Sequence, residues 1–128
     1  MTDNPHGKFV WNELCAQDVE GAKKFLGAAL GWTFEPMKTP GGTYWIIKNG
    51  EDRAGGIFDM SGDDFCKGVP EHWISYVAVD DVDARLQNAV AKGAKQLRAP
   101  FDIPEVGRIA ILQQPGGGTL AWITPKPK

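Results

Sequence analysis

The sequence predicts an α+β fold made of two βαβββ modules in tandem. Three observations carry that prediction. Two segments share one grammar, each is followed by a capped amphipathic helix, and each helix is followed by paired strand-like runs. The first segment is Phe9-Val10-Trp11-Asn12-Glu13-Leu14-Cys15-Ala16-Gln17-Asp18-Val19. The second is His72-Trp73-Ile74-Ser75-Tyr76-Val77-Ala78-Val79-Asp80-Asp81-Val82. Both are rich in β-branched and aromatic residues, which suit strands, and both close on Asp-Val. Asp18 and Asp81 stand 63 positions apart.

The helices follow from their first residues. A short carboxylate at Asp18 or Asp81 can accept a bond from a free amide in the first turn. Glu20 and Asp83 add negative charge at the positive end of the helix dipole. Val19, Ala22, Phe25, Leu26, Ala29 and Leu30 fall at helical spacing in the first helix. Val82, Leu86, Ala89 and Val90 do so in the second. Gly31 and Gly93 sit where a left-handed terminal residue is wanted.

After each helix come strands. Gly42 to Lys48 leads through Asn49-Gly50 into Ala54 to Met60. Arg108 to Leu112 leads through Pro115-Gly116-Gly117-Gly118 into Thr119 to Thr124. Both intervening sequences are strong turn formers. Gly42 and Gly107 are 65 apart, so the repeat gains two residues between helix and strand. Thr33 to Lys38 and Lys95 to Arg98 are candidates for a further strand in each half. The modules run from about 8 to 60 and 71 to 125 within a single domain, with Met60 to Pro70 as connector. A unit of about 60 residues buries little surface alone, so the two are expected to share a core.

Composition narrows the function. The chain has 128 residues, 42% hydrophobic and 23% charged, which describes a globular protein rather than a disordered one. A net charge of −2 gives no bias toward nucleic acid or anionic lipid. Lys23-Lys24 and the tail Lys126-Pro127-Lys128 are too short to change that. No apolar run spans a bilayer. The stretch Met1-Thr2-Asp3-Asn4-Pro5-His6-Gly7-Lys8 does not read as a secretory leader. Two cysteines, Cys15 and Cys66, make no disulfide framework or four-thiolate zinc site. The expectation is a cytoplasmic protein whose partner is a small molecule or another chain, with no nucleic acid and no membrane.

These residues resemble the vicinal oxygen chelate superfamily, which includes glyoxalase I, bleomycin-resistance proteins and extradiol dioxygenases. The resemblance is nearest to glyoxalase-like members, and rests on Phe-Val-Trp-Asn-Glu-Leu at 9–14, Gly-Gly-Ile-Phe-Asp-Met at 55–60 and Pro-Phe-Asp-Ile-Pro-Glu-Val-Gly-Arg-Ile-Ala at 100–110. It implies curved mixed sheets around a cavity, and a homodimer. In metal-using members it also implies a divalent ion held by the first and last strand of each module. The corresponding positions are Trp11, Gly56, Ile74 and Ala121. None offers a lone pair to a cation, and the neighbours Asn12, Ser75 and Trp122 do not rebuild a site. No metal and no cofactor is expected; a divalent ion is the disfavoured alternative.

Strand alternation then selects candidates. If Trp11 faces the cavity, so do Phe9, Glu13 and Cys15; if Ile74 does, so do His72, Tyr76 and Ala78. Glu13, Tyr76 and His72 are the candidate catalytic groups, because a partly buried carboxylate titrates nearer neutrality and can move protons. Trp11, Glu13, Cys15, Trp45, Phe58, Ile74 and Tyr76 are the candidate ligand-binding residues, the tryptophans as aromatic walls. The competing readings are structural: Glu13 paired for packing, the tryptophans filling the core, Cys15 a buried thiol, Cys66 a connector residue that is open to solvent, His72 an ordinary strand-end residue, His6 part of a mobile tail. Gly116-Gly117-Gly118 lacks the helix and Lys of a phosphate loop and reads as a turn. Arg108 points either to the cavity or to Asp102. Two functions remain: a metal-free small-molecule binder, or a lyase, isomerase or glyoxalase-type enzyme using Glu13 with Tyr76 or His72, or an unplaced ion.

Overall fold

A computed structural model describes residues 5–104 and 106–126. The tail residues Pro127-Lys128, and Met1-Thr2-Asp3-Asn4 of the stretch read above as no leader, lie outside the described residues. The element order is β1 (Phe9–Ala16), α1 (Val19–Leu30), β2 (Thr33–Thr39), β3 (Gly42–Asn49), β4 (Asp52–Asp59), β5 (His72–Ala78), α2 (Val82–Ala91), β6 (Lys95–Ile103), β7 (Gly107–Gln113) and β8 (Thr119–Pro125). This is βαβββ twice, the α+β architecture that the repeat predicts. The two further strands, β2 and β6, are both present. The chain divides into two compact units: Trp11 to Ile74, and Ser75 onward together with the segment up to Val10. The boundaries therefore fall inside β1 and β5 rather than in the connector.

In the first module the strands pair in the order β2-β3-β4-β1. β2–β3 and β3–β4 are antiparallel and β4–β1 is parallel. In the second module the order is β6-β7-β8-β5, again with two antiparallel pairs and one parallel pair. Pro36 and Pro100 lie in β2 and β6, the strands that end each of these orders, where a missing N–H is tolerated. The β6–β7 register slips between Arg98 and Phe101, around Pro100.

Each helix covers one face of its sheet. Val19, Ala22 and Leu26 of α1 bury against Leu14, Ala16, Ile47 and Ile57, with Trp32, Phe34 and Trp45 packed around them. Val82 and Leu86 of α2 bury against Ala110 and Leu112, with Leu120 and Trp122 beside them. The caps form as the sequence requires. Asp18 accepts from the Gly21 N–H at 3.0 Å and Asp81 from the Ala84 N–H at 3.2 Å. Gly31 closes α1 in the left-handed conformation, φ 73°. Helical spacing misplaces four side chains: Phe25, Ala29, Leu30 and Val90 are exposed.

Two other expectations are corrected, for Cys66 and His6, and the open choice at Arg108 is decided. The connector contains a 3₁₀ turn, Asp64–Cys66. Cys66 is buried within it. The Gln17 amide holds the segment by donating to the Cys66 and Val69 carbonyls, both at 3.0 Å. His6 is anchored, since its Nδ1 accepts from the Asp80 N–H at 3.0 Å. Neighbouring Gly7 donates to the Ala78 carbonyl at 2.7 Å. Of the two readings of Arg108, the one toward Asp102 holds: the guanidinium meets Asp102 at 3.2 Å and also Asp83 at 2.7 Å. Among the described residues no helix is long and apolar enough to cross a membrane.

The two caps generate a matched prediction. Asp18→Ala and Asp81→Ala should each lower the unfolding free energy by about 1 kcal/mol, the usual cost of a lost N-cap. Urea denaturation followed by far-UV circular dichroism measures it.

Candidate functional site in the first module

Neighbouring residues of β1 point to opposite faces of the sheet. Leu14 and Ala16 go to the helix side; Glu13 and Cys15 go to the other. Register identifies what shares that other face: Glu13 lies opposite Gly56, Cys15 opposite Phe58, and Ile46 opposite Gly56 from the β3 side. Tyr44 precedes Ile46 by two on β3 and belongs to the same face.

These residues form one hydrogen-bonded chain. The Trp11 indole N–H donates to the Tyr44 hydroxyl oxygen at 2.8 Å. The Tyr44 hydroxyl donates to Glu13 Oε1 at 2.9 Å. The Cys15 thiol faces Glu13 Oε2 at 3.7 Å, a weaker bond. Glu13 itself is buried, 8% exposed, so its carboxylate needs such donors. The arrangement depends on Gly56, because a Cβ there would overlap the Tyr44 phenol. Gly55 is required separately: its Cβ would overlap the Asn12 carbonyl of β1. The Gly-Gly pair thus lets a ring lie across β4 and reach a carboxylate on β1.

Electrostatics fix the protonation of the partners. Burial, and next the Glu13 charge, push the Cys15 thiol well above its ordinary range. The thiol is therefore a neutral donor and a poor nucleophile. Burial and then the Glu13 charge also raise the Tyr44 phenol, although the Trp11 donor pulls the other way. Tyr44 stays a phenol and keeps its proton on the Glu13 side.

The remaining candidates are placed as follows. Phe58 shares the Glu13 face and is half-buried. Ile74 is buried. Tyr76 is buried in the second unit, opposite Ala121. His72 is exposed, and its Nδ1–H donates to the Pro70 carbonyl at 2.8 Å. Trp45 is the correction. It lies on the helix side, packed against the α1 core, with the Lys23 ammonium 3.3 Å from its ring centre. Tyr44, beside it in sequence, is the β3 side chain that meets Glu13. The sequence reading passed over Tyr44, yet a signal was available: Gly55-Gly56 in the facing strand announces that a large neighbour must lie close.

The family's ion is tested by the same geometry. Gly56 has no side chain, and the Tyr44 ring takes the space one would need. Trp11 offers an N–H, which is a donor and not a ligand. Ile74 and Ala121 carry only carbon. Among the described residues no group of three His, Cys, Asp or Glu side chains is placed to hold a metal. The residues present do not fit a divalent ion bound in the superfamily's manner.

Two predictions follow from the chain of bonds. Tyr44→Phe keeps the ring and removes the hydroxyl, and should cost about 1–3 kcal/mol in urea denaturation because Trp11 and Glu13 each lose a buried partner. The Cys15 shift has a definite sign. A thiol whose pKa rises on folding stabilises the fold below the unfolded value of about 8.5 and loses that contribution as pH rises further. Stability should fall from about pH 8.5 with a slope of up to about 1.4 kcal/mol per pH unit. Cys15→Ala should flatten that slope in denaturation series run from pH 7 to 9.5.

No family model matches the chain. Over 126 residues it is 36% identical to "Putative glyoxylase CFP32" of Mycobacterium bovis, covering 98% of this chain and 47% of that protein. It is 25% identical over 134 residues to the anthracycline biosynthesis protein DnrV of Streptomyces peucetius, covering 94% and 48%. The chain thus spans about half the length of the curated relatives it matches. Among solved structures, methylmalonyl-CoA epimerase from Mycobacterium tuberculosis superposes with a TM-score of 0.62 at 15% identity, covering 99% of this chain and 94% of that one. At that identity the likeness speaks for the fold alone. Repeat, topology and relatives agree: the chain has the fold of the vicinal oxygen chelate superfamily of glyoxalases, bleomycin-resistance proteins and dioxygenases, and over nearly its whole length it is similar to a protein named as a glyoxylase.

Proposed function

We propose that this glyoxalase-like domain binds a small apolar or aromatic molecule without a divalent metal. The observation that carries the reading is the Tyr44 phenol lying over Gly56 and bonded to Glu13. Where metal-using relatives need a carboxylate reaching for an ion, this module has a neutral ring. The face it creates combines aromatic surface from Trp11, Tyr44 and Phe58 with one anchored carboxylate. Such a mix of apolar wall and few polar groups is the usual make-up of a ligand site. The name of one relative refers to anthracyclines, which are fused-ring aromatic compounds and suit a wall of this kind.

Proton transfer by Glu13 is the second reading, and one feature favours it. A buried carboxylate held by a phenol is aimed and shielded, as a general base must be. Tyr44 takes the supporting role that the sequence reading gave to Tyr76 or His72.

One series of measurements separates the readings. Protein purified without chelator should contain far less than one equivalent of Zn, Ni, Fe or Mn, and EDTA should leave its Tm unchanged. A panel of aromatic compounds should include members that raise the Tm, since a ligand at 100 times its Kd adds about 2.7 kcal/mol. Glu13→Gln should still bind such compounds if the domain is a binder. A turnover present in wild type and lost in Glu13→Gln would establish the enzyme instead. Stoichiometric metal held by protein ligands would overturn the metal-free reading.

A further inference from the structure

The first module has a concave surface on the helix side of its sheet. A cleft of about 260 Å³ lies between the first turns of α1 and the start of β5. Leu14, Ala22 and Leu26 form its floor, Phe25 and Trp73 its walls, and Asp18 and Glu71 its charged rim. Leu14 and Glu13 are consecutive in β1, so the cleft and the Glu13 face are on opposite sides of one strand.

Two features of the cleft need explanation. Phe25 is 68% exposed and Trp73 49% exposed, large apolar groups left in water beside one another's cleft. Trp73 is held in place, since its ring meets Trp32 edge-to-face at 6.4 Å and 77°. The second feature is charge. Two carboxylates stand on the rim, and no cationic side chain lines the cleft. Lys23, on the same helix, is committed elsewhere, paired with Glu20 at 3.0 Å and seated over Trp45. Gly21 keeps one wall bare, because a side chain there would overlap the Asp18 carboxylate.

We infer that this cleft binds a small organic cation: an ammonium group with an aromatic or short aliphatic body. The aromatic faces attract a cation through their ring quadrupoles and accept its apolar body. The carboxylates select the sign of the charge and raise the local concentration of cations. The volume falls just under the roughly 300–1,000 Å³ of drug-sized sites, so the occupant is fragment-sized. An anion would meet Asp18 and Glu71. The site is independent of the proposed function, because it uses none of the residues on the Glu13 face.

Phenethylammonium and phenethyl alcohol form the test pair, being nearly equal in size and different in charge. Each is titrated into the ¹⁵N-labelled protein, with the Trp73 indole and the Gly21 and Ala22 amides as reporters. The cation should shift all three, with the alcohol about fivefold to tenfold weaker. Glu71→Gln, an exposed change that leaves the core alone, should weaken the cation about threefold or more and the alcohol hardly at all. The Trp11 indole should not respond. Equal response to both probes, indifference to Glu71→Gln, or shifts at Trp11 instead of Trp73 would overturn the inference. Trp73 shifts that vary with protein concentration in the absence of probe would overturn it too, by showing that a second copy of the chain covers the cleft.

Discussion

The first module is organised around the satisfaction of one buried charge. Glu13 is the buried acidic side chain of the described core, and a carboxylate removed from water must find donors or give up its charge. Tyr44 supplies one, Cys15 supplies a weak second, and Trp11 stands behind Tyr44. Everything nearby serves that purpose. Gly56 clears the path of the ring, Gly55 lets β4 approach β1, and the parallel β1–β4 register puts Gly56 level with Glu13.

The second module shows what the same scaffold does without such a charge. Tyr76 occupies the position of Glu13 in the repeat, and Ala121 that of Gly56; they pair across β5 and β8 as Glu13 and Gly56 pair across β1 and β4. The offsets of 63 and 65 found between the helix caps and between the strand-opening glycines recur in these pairs. The frame is therefore shared to the residue, while the chemistry hung on it differs. The caps, helix faces and strand order are common property. The corner that relatives give to a metal has diverged separately in each half, to a phenol over glycine in one and to alanine in the other.

Much of this is written in local signals. Asp-Val at the end of each β-rich run marks a cap and the first buried helix residue. Asn-Gly and Pro-Gly-Gly mark turns. These act over a few residues, so the order of elements and the tandem repeat are legible. Burial along the helices is not, because Phe25 and Val90 have the right spacing and are exposed all the same. The site is legible in part. Alternation puts Glu13, Cys15 and Trp11 on one face of β1, since they share a strand. It fails for β3, where a strand of Tyr44-Trp45-Ile46-Ile47 offers apolar residues to both sides. Only pairing with β4 decides between them, and pairing is a tertiary fact. The two glycines of β4 hold that information in a form that alternation does not read. His6, Cys66 and Arg108 find Asp80, Gln17 and Asp83, partners 25 to 74 residues away and beyond any local rule.

The unit boundaries inside β1 and β5 have a consequence for where the chain could be cut. The repeat invites the picture of two self-sufficient halves joined by a tether at Met60 to Pro70. The compact units do not coincide with those halves: one takes the start of β5, and the other takes the residues before Trp11. A proteolytic nick near Gly62 would thus give two fragments, each lacking strand material that its own unit uses. A cut at the seam of the sequence repeat would therefore leave both folding units incomplete.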